Sequence, residues 1–385
     1  MIKYLGSKRV LVPRIVAALT ALPRVRTVLD LFSGTSRVGH ALKRAGLRVT
    51  ANDHLAFAHA LARCYVAADA RRLRRPAERL IAELARVPPA PGWFAATYGE
   101  RARFFHPRNA ARVDAIREAI AARGLPPDLE AIALVALMEA ADRVDSTTGV
   151  QMAYLKRWAP RALHDLELRV PDLLPGPGEA LRLDAVEAAR RVEADAAYLD
   201  PPYNQHSYLG NYHIWESLVR WDKPAVYGTA CKRVDCREYR NPFNSRRRIR
   251  GALAKVLGAL RARWLVVSFS DEGYLSRAEL EALLGERGHV EVVEFDFKRY
   301  VGAQIGIYNP RGEKVGRVSH LRNREFLFLV GPDRAALRQA REAAGAKQLA
   351  RSGGATAAGG TPLAGGTRSA YLGTAGPDGP RGRTR

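Results

Sequence analysis

Residues 26–53 read RTVLDLF, SGTS, RVGHALKRAG and LRVTAND in succession. The first and last are short, apolar, β-capable runs, the second is a tight loop, and the third has helical spacing with Gly46 as its stop. Two strands joined through a helix pair in parallel, because a parallel pair needs a crossover. With a further helix over about 55–68, the chain opens βαβα and is committed to a parallel, doubly wound sheet.

The alternation resumes later. ADAAYLD (194–200) and LVVSFS (265–270) read as strands; RIRGALAKVLGALRARW (248–264) and RAELEALLGERG (277–288) read as helices. Two last apolar runs, VEVVEFDF (290–297) and REFLFLVG (324–331), are expected to pair as an antiparallel edge, joined by the irregular basic segment 298–323. Between the two halves, residues 70–180 show Arg- and Ala-rich helical stretches at 72–86, 108–123 and 128–143 and no clear strand. The expected organisation is therefore a sheet domain built from 1–69 and 181–331, an inserted helical module over 70–180, and a disordered tail over 332–385. From Ser352 onward the chain is Gly, Ala, Thr and Pro, too poor in large apolar groups to offset the entropy of ordering.

Composition narrows the partners. Sixty-two Lys and Arg against 39 Asp and Glu leave a net charge of +23 in a chain of ordinary globular composition, 47% apolar. A solvated Arg-rich face accounts for part of this, but residues 231–250 hold eight Lys or Arg and two acids beside Tyr239 and Phe243, a mixture suited to phosphate contacts and stacking. A polyanionic partner follows. The three cysteines, Cys64, Cys231 and Cys236, form neither a disulfide framework nor a zinc spacing, so a reducing cytoplasm and no metal are expected. No apolar run spans a bilayer, so no membrane role is expected. Pro13 and Arg14 break VLVPRIVAAL, which reads as an amphipathic helix rather than a signal peptide.

The loop after DLF sits at the carboxyl end of the first strand, where open α/β sheets place ligands. It lacks the G-x-G-x-x-G pattern, since TSRV separates Gly34 from Gly39, and alone it signals only a tight turn. Asp53, at the end of the second strand, has the spacing from Asp30 that brings a carboxylate to a ribose, and the pair favours an adenosine-containing cofactor. Asp200, Pro201, Pro202 and Tyr203 end a later strand. Two prolines remove two N–H donors and disfavour helix before them, leaving exposed carbonyls between a carboxylate and an aromatic ring. Such a loop suits a planar exocyclic amine, its hydrogens on the acceptors and its ring on Tyr203; in isolation it is also a rigid turn.

KYLGSK at 3–8, DLFSGTS and DPPY in this order resemble the Dam-like, D12-class adenine-N6 DNA methyltransferases that use S-adenosylmethionine. The resemblance covers about residues 1–330 and implies a Rossmann-like methyltransferase sheet with an antiparallel edge hairpin and an inserted, mainly helical target-recognition module. It implies that Tyr4 and Lys8 help bind the cofactor, that Phe32 and Gly34 line its pocket, and that Asp53 holds its ribose. Asp184 in RLDA corresponds to the acidic residue near the cofactor's adenine, Asp200 to Tyr203 receive the flipped base, and Asp200 also counts among the cofactor-binding residues. Double-stranded DNA is the implied partner, with a cognate restriction endonuclease as a further one. The family's loop is F-x-G-x-G, whereas this chain has Ser36 in place of the second glycine.

Weaker signals accompany these. His206, Tyr208, Tyr212, His213 and Trp215 either close over the target base or, for Tyr212 and Trp215, pack in the core. Arg108, Arg112, Lys156 and Arg157 are phosphate contacts or ordinary surface groups. An RNA adenine-N6 enzyme, a cytosine-N4 DNA enzyme and a non-catalytic nucleic-acid-binding protein stand as alternatives, although Asp rather than Ser or Asn before Pro-Pro-Tyr favours adenine.

Overall fold

The computed structural model describes residues 1–6, 8–147, 149–152, 157–298 and 322–346. Seven strands form the central sheet: β1 (Thr27–Asp30), β2 (Arg48–Asn52), β3 (Glu179–Leu181), β4 (Glu193–Leu199), β7 (Arg261–Ser270), β8 (His289–Lys298) and β9 (Arg322–Gly331). A separate ribbon pairs β5 (Val226–Tyr227) with β6 (Lys232–Arg233). The sheet order is β3-β2-β1-β4-β7-β9-β8. The first five are parallel, and β9 runs antiparallel to both β7 and β8. The doubly wound reading and the antiparallel edge both hold.

The strands carry apolar residues on both faces because helices cover both. On one side, Val28, Ala196, Tyr198, Val266 and Leu329 pack against α1 (Val12–Ala21) and α2 (Arg37–Arg44). On the other, Leu29, Ala197, Leu199 and Val267 pack against α7 (Ala185–Arg191), α10 (Ile249–Ala259) and α11 (Arg277–Gly285). The helix expected over 55–68 is split into α3 (Ala56–Ala62) and a π-helical turn, Arg63–Ala67. That expected over 248–264 stops at Ala259, because Arg261 to Trp264 are drawn into β7 by pairing with Glu193 to Ala196.

The helical insertion comprises α4 (Ala70–Ala85), α5 (Pro107–Ala121) and α6 (Pro127–Arg143). It does not close a core of its own. Its apolar residues share one cluster with α3 and with Leu209, Ile214, Trp215 and Leu218 of α8 (Tyr208–Asn211) and α9 (His213–Arg220), so it is fused to the sheet domain on both chain sides.

The tail boundary at 332 is corrected as well. A helix, Arg334–Gly345, follows β9, with the Asp333 side chain capping the amides of Ala335 and Ala336. It buries Ala336, Leu337, Ala340 and Ala344 in the cluster that holds α1. Residues 347–385, including the Gly/Ala-rich segment, and most of the 298–323 connection lie outside the described residues. Among those described, no helix is long and apolar enough to cross a membrane.

Candidate active site

The chain winds from β1 through β2 to β3 on one side, and β4 and β7 lie on the other. Above the carboxyl ends of β1 and β4, where the order reverses, a cleft of about 240 Å³ opens. Eight of the sequence-predicted residues line it: Tyr4, Lys8, Phe32, Gly34, Asp53, Asp184, Asp200 and Pro202. Pro201 is buried beside it, and Tyr203 packs its ring 5.1 Å from Phe269.

The loop after β1 is tied down by backbone and carboxylate. Ser33 N donates to Asn52 O, and Gly34 N donates to Asp53 Oδ2 at 2.9 Å. Asp53 Oδ1 accepts from Leu55 N, so the residue expected at a ribose also braces the glycine loop. Burial raises its pKa against these two amides. Gly34 has φ +49°, and a Cβ there would stand 3.3 Å from the Tyr4 hydroxyl, so glycine satisfies both backbone and space. Ser36 has φ 57°, and its buried hydroxyl has no partner among the described residues. Its left-handed backbone explains why a glycine suits this position, and the structure accommodates serine there nonetheless.

Asp30, the last residue of β1, is buried. Its Oδ2 accepts from Gly39 N at 3.1 Å, while Oδ1 has no partner among the described residues. Burial, reinforced by the charge of Asp200, pushes its pKa up to about 7 against the Gly39 amide. Asp200 follows β4 directly. Burial pushes its pKa up to about 6, with Lys8 opposing and Glu325 adding to the rise. Lys8 Nζ lies 3.1 Å from Asp200 Oδ1, 3.4 Å from Glu325 Oε2 and 5.7 Å from the Tyr203 ring centroid. Burial works against the lysine charge, but the two carboxylates outweigh it and hold its pKa well above the usual range.

Aromatic rings form the side walls. Tyr4 stacks on Tyr208 at 5.1 Å and on Tyr212 at 4.7 Å, and Leu5 N donates to the Tyr212 hydroxyl. Opposite, Tyr239 lies 6.0 Å from His54, and Phe243 meets Phe32 edge-on at 5.3 Å. Both Tyr239 and Phe243 line the cleft, so two aromatics read as nucleic-acid stackers serve as its wall. Asp184 caps α7 through Val186 N at the adjoining corner. Tyr208, a candidate to close over the target base, lines the cleft, whereas Asn52 and Tyr239 were not distinguished as cleft residues by sequence; Tyr239 left a signal only as an aromatic in a basic run.

The weaker candidates divide. Tyr212, His213 and Trp215 are buried in the core, whereas His206 is exposed. Arg233 is buried and bonds Asp222 and Asp235, so it braces the ribbon, while Arg246, Arg247, Arg248 and Arg250 are exposed. Arg108 bonds Leu163 O and Asp165, and Arg112 bonds Ala85 O. Arg157 is exposed; Lys156 lies outside the described residues.

An open sheet with a glycine loop and an acceptor-rich Asp-Pro-Pro-Tyr loop over one cleft defines a Rossmann-like methyltransferase. Residues 4–257 match the model of the D12 class N6 adenine-specific DNA methyltransferases, and the chain belongs to that family. It is 26% identical to the type II methyltransferase M.NlaIII of Neisseria lactamica over 308 residues, 77% of this chain and 90% of that protein. It is 26% identical to modification methylase StsI of Streptococcus sanguinis over 328 residues, 79% of this chain but 49% of StsI, so it spans about half of that relative's length. Over 220 residues, 54% of this chain and 64% of the relative, it is 31% identical to the type II methyltransferase M.CviAII of Paramecium bursaria Chlorella virus 1.

Proposed function

We propose that the protein transfers a methyl group from S-adenosylmethionine to N6 of an adenine flipped out of duplex DNA. The observation that carries this reading is the shared cleft: the Gly34 loop and the Asp200 carboxylate face one space. The residues present fit the cofactor. Asp30 Oδ1 is a buried acceptor without a partner at the cleft, and Gly34 leaves room beside Tyr4 that a Cβ would fill. Bound there, S-adenosylmethionine supplies a methyl group already activated on a sulfonium sulfur. Asp53 and Asp184 are assigned to its adenosine, Asp30 to its positively charged end, and Phe32 and Phe243 to its flat faces.

The remaining chemistry is alignment. Asp200 and the Pro201 carbonyl accept the hydrogens of the target amine, which directs the nitrogen lone pair across the cleft and supports the positive charge that develops on N6. Tyr203 provides the stacking surface that offsets the cost of flipping. The inserted helices are assigned to target recognition, and the names of the relatives support a place beside a cognate restriction endonuclease. Asp200→Ala is expected to retain its circular dichroism spectrum and cofactor affinity while losing methyl transfer by at least roughly a thousandfold. Turnover near that of the wild type would exclude the assigned role. Because Asp200 titrates at about 6, the wild-type transfer rate is expected to fall as pH drops through that value.

A further inference from the structure

The assignments above leave Glu325 without a task. It lies on β9, beyond the family match at residues 4–257, and stands opposite Ser270 of β7 and Phe295 of β8. The next five residues of the strand, Phe326 to Val330, are all apolar and buried. A carboxylate at the head of such a run, its side chain 17% exposed, is costly unless it is paired. Lys8 provides the pair while also facing Asp200, so one buried ammonium is divided between two carboxylates.

We propose that Glu325 is a positioning residue for methyl transfer: by sharing Lys8 it keeps the ammonium on Oδ1 of Asp200 without giving it over to Asp200 alone, and so leaves the second Asp200 oxygen for the substrate amine. This rests on the adenine-amine reading of the cleft. An ammonium facing Asp200 alone forms a closed charge-assisted pair, and the neutral amine then competes with a fully charged donor. Shared with Glu325, the ammonium leaves the trio with one net negative charge where the amine's hydrogens arrive. The other titratable groups bearing on Asp200 are the Asp30 carboxyl and the phenols of Tyr4, Tyr198, Tyr203 and Tyr208. Burial raises all five, so the phenols stay neutral and, among the described residues that bear on Asp200 beyond Lys8 and Glu325, Asp30 is the one that titrates.

The test reads Asp200 in the free protein by carbon-13 NMR of aspartate-labelled chain, with Asp200→Asn identifying the resonance. The wild type is expected to titrate at about 6, Glu325→Gln at lower pH and Lys8→Met at higher pH. In single turnover, Glu325→Gln is expected to lose on the order of tenfold in transfer rate, with its acid limb displaced in the same direction. Its cofactor affinity is measured in parallel, and the loss in single-turnover rate at saturating cofactor is expected to exceed any loss of affinity through Lys8; a loss confined to affinity overturns the inference. Glu325→Asp should recover part of the rate. An Asp200 titration unmoved in Glu325→Gln, or a moved titration at an unchanged rate, overturns the inference. A wild type that methylates no nucleic acid contradicts the functional reading and the task given to Glu325 with it; an active wild type with an indifferent Glu325→Gln contradicts the inference alone.

Discussion

Asp30, in the wall of the cleft, holds the Gly39 amide with one oxygen, and the other has no partner among the described residues. Its folded pKa of about 7 exceeds an unfolded value of roughly 3.9, so the folded chain binds the proton more tightly. The stability this contributes is complete below about pH 4 and is lost as pH rises through about 7. Asp30→Asn keeps an acceptor for Gly39 and cannot ionise. It is expected to stabilise the cofactor-free protein at pH 8 by roughly 4 kcal/mol, seen as a raised thermal midpoint, and to leave the midpoint nearly unchanged at pH 4. An equal shift at both pH values would contradict the assignment. Residues of this kind also mark where sequence reading stops. Asp53 and Asp200 were legible because each ends an apolar strand at a recognisable spacing. Glu325 sits on β9, between β7 and β8, with no motif around it, and only the fold brings it within 3.4 Å of Lys8.

Among the elements, β1, β4 and β7 were legible as apolar runs because burial on both faces removes most polar alternation, whereas β2, with Arg48 and Thr50 alternating with buried Val49 and Ala51, was legible from its place directly after the helix stop at Gly46. The three-residue β3 left no such pattern. The helix Arg334–Gly345 was missed for a different reason: its buried positions are mostly alanine, and the contacts that hold it come from α1, more than 300 positions earlier in the chain. Leu337 is its one large buried apolar residue. Leu337→Ala is expected to destabilise the protein by about 2–4 kcal/mol in denaturant unfolding while cofactor affinity under native conditions is retained. A change below about 0.5 kcal/mol would show that the helix adds nothing to the core. The cleft wall at Tyr239 and Phe243 was half legible, as aromatics in a basic run whose direction only the tertiary structure sets.

For the whole molecule, the net charge of +23 points to a polyanion, and the exposed arginines of 246–250 lie close to the Asp-Pro-Pro-Tyr loop. Arg246 stands 5.5 Å over the Tyr274 ring, and Tyr274 N donates to Tyr203 O at 2.8 Å. A double substitution, Arg246→Ala with Arg247→Ala, is expected to weaken duplex binding similarly for all sequences and to reduce the slope of log affinity against log salt by about 2. An unchanged slope would place the phosphate track elsewhere. The atom that receives the methyl group decides the function more directly. Labelled methyl from S-adenosylmethionine should be offered to duplex DNA, single-stranded DNA and RNA in parallel, and the products digested to nucleosides. The account predicts N6-methyladenine in the duplex; label recovered only in RNA, or on cytosine, would contradict it.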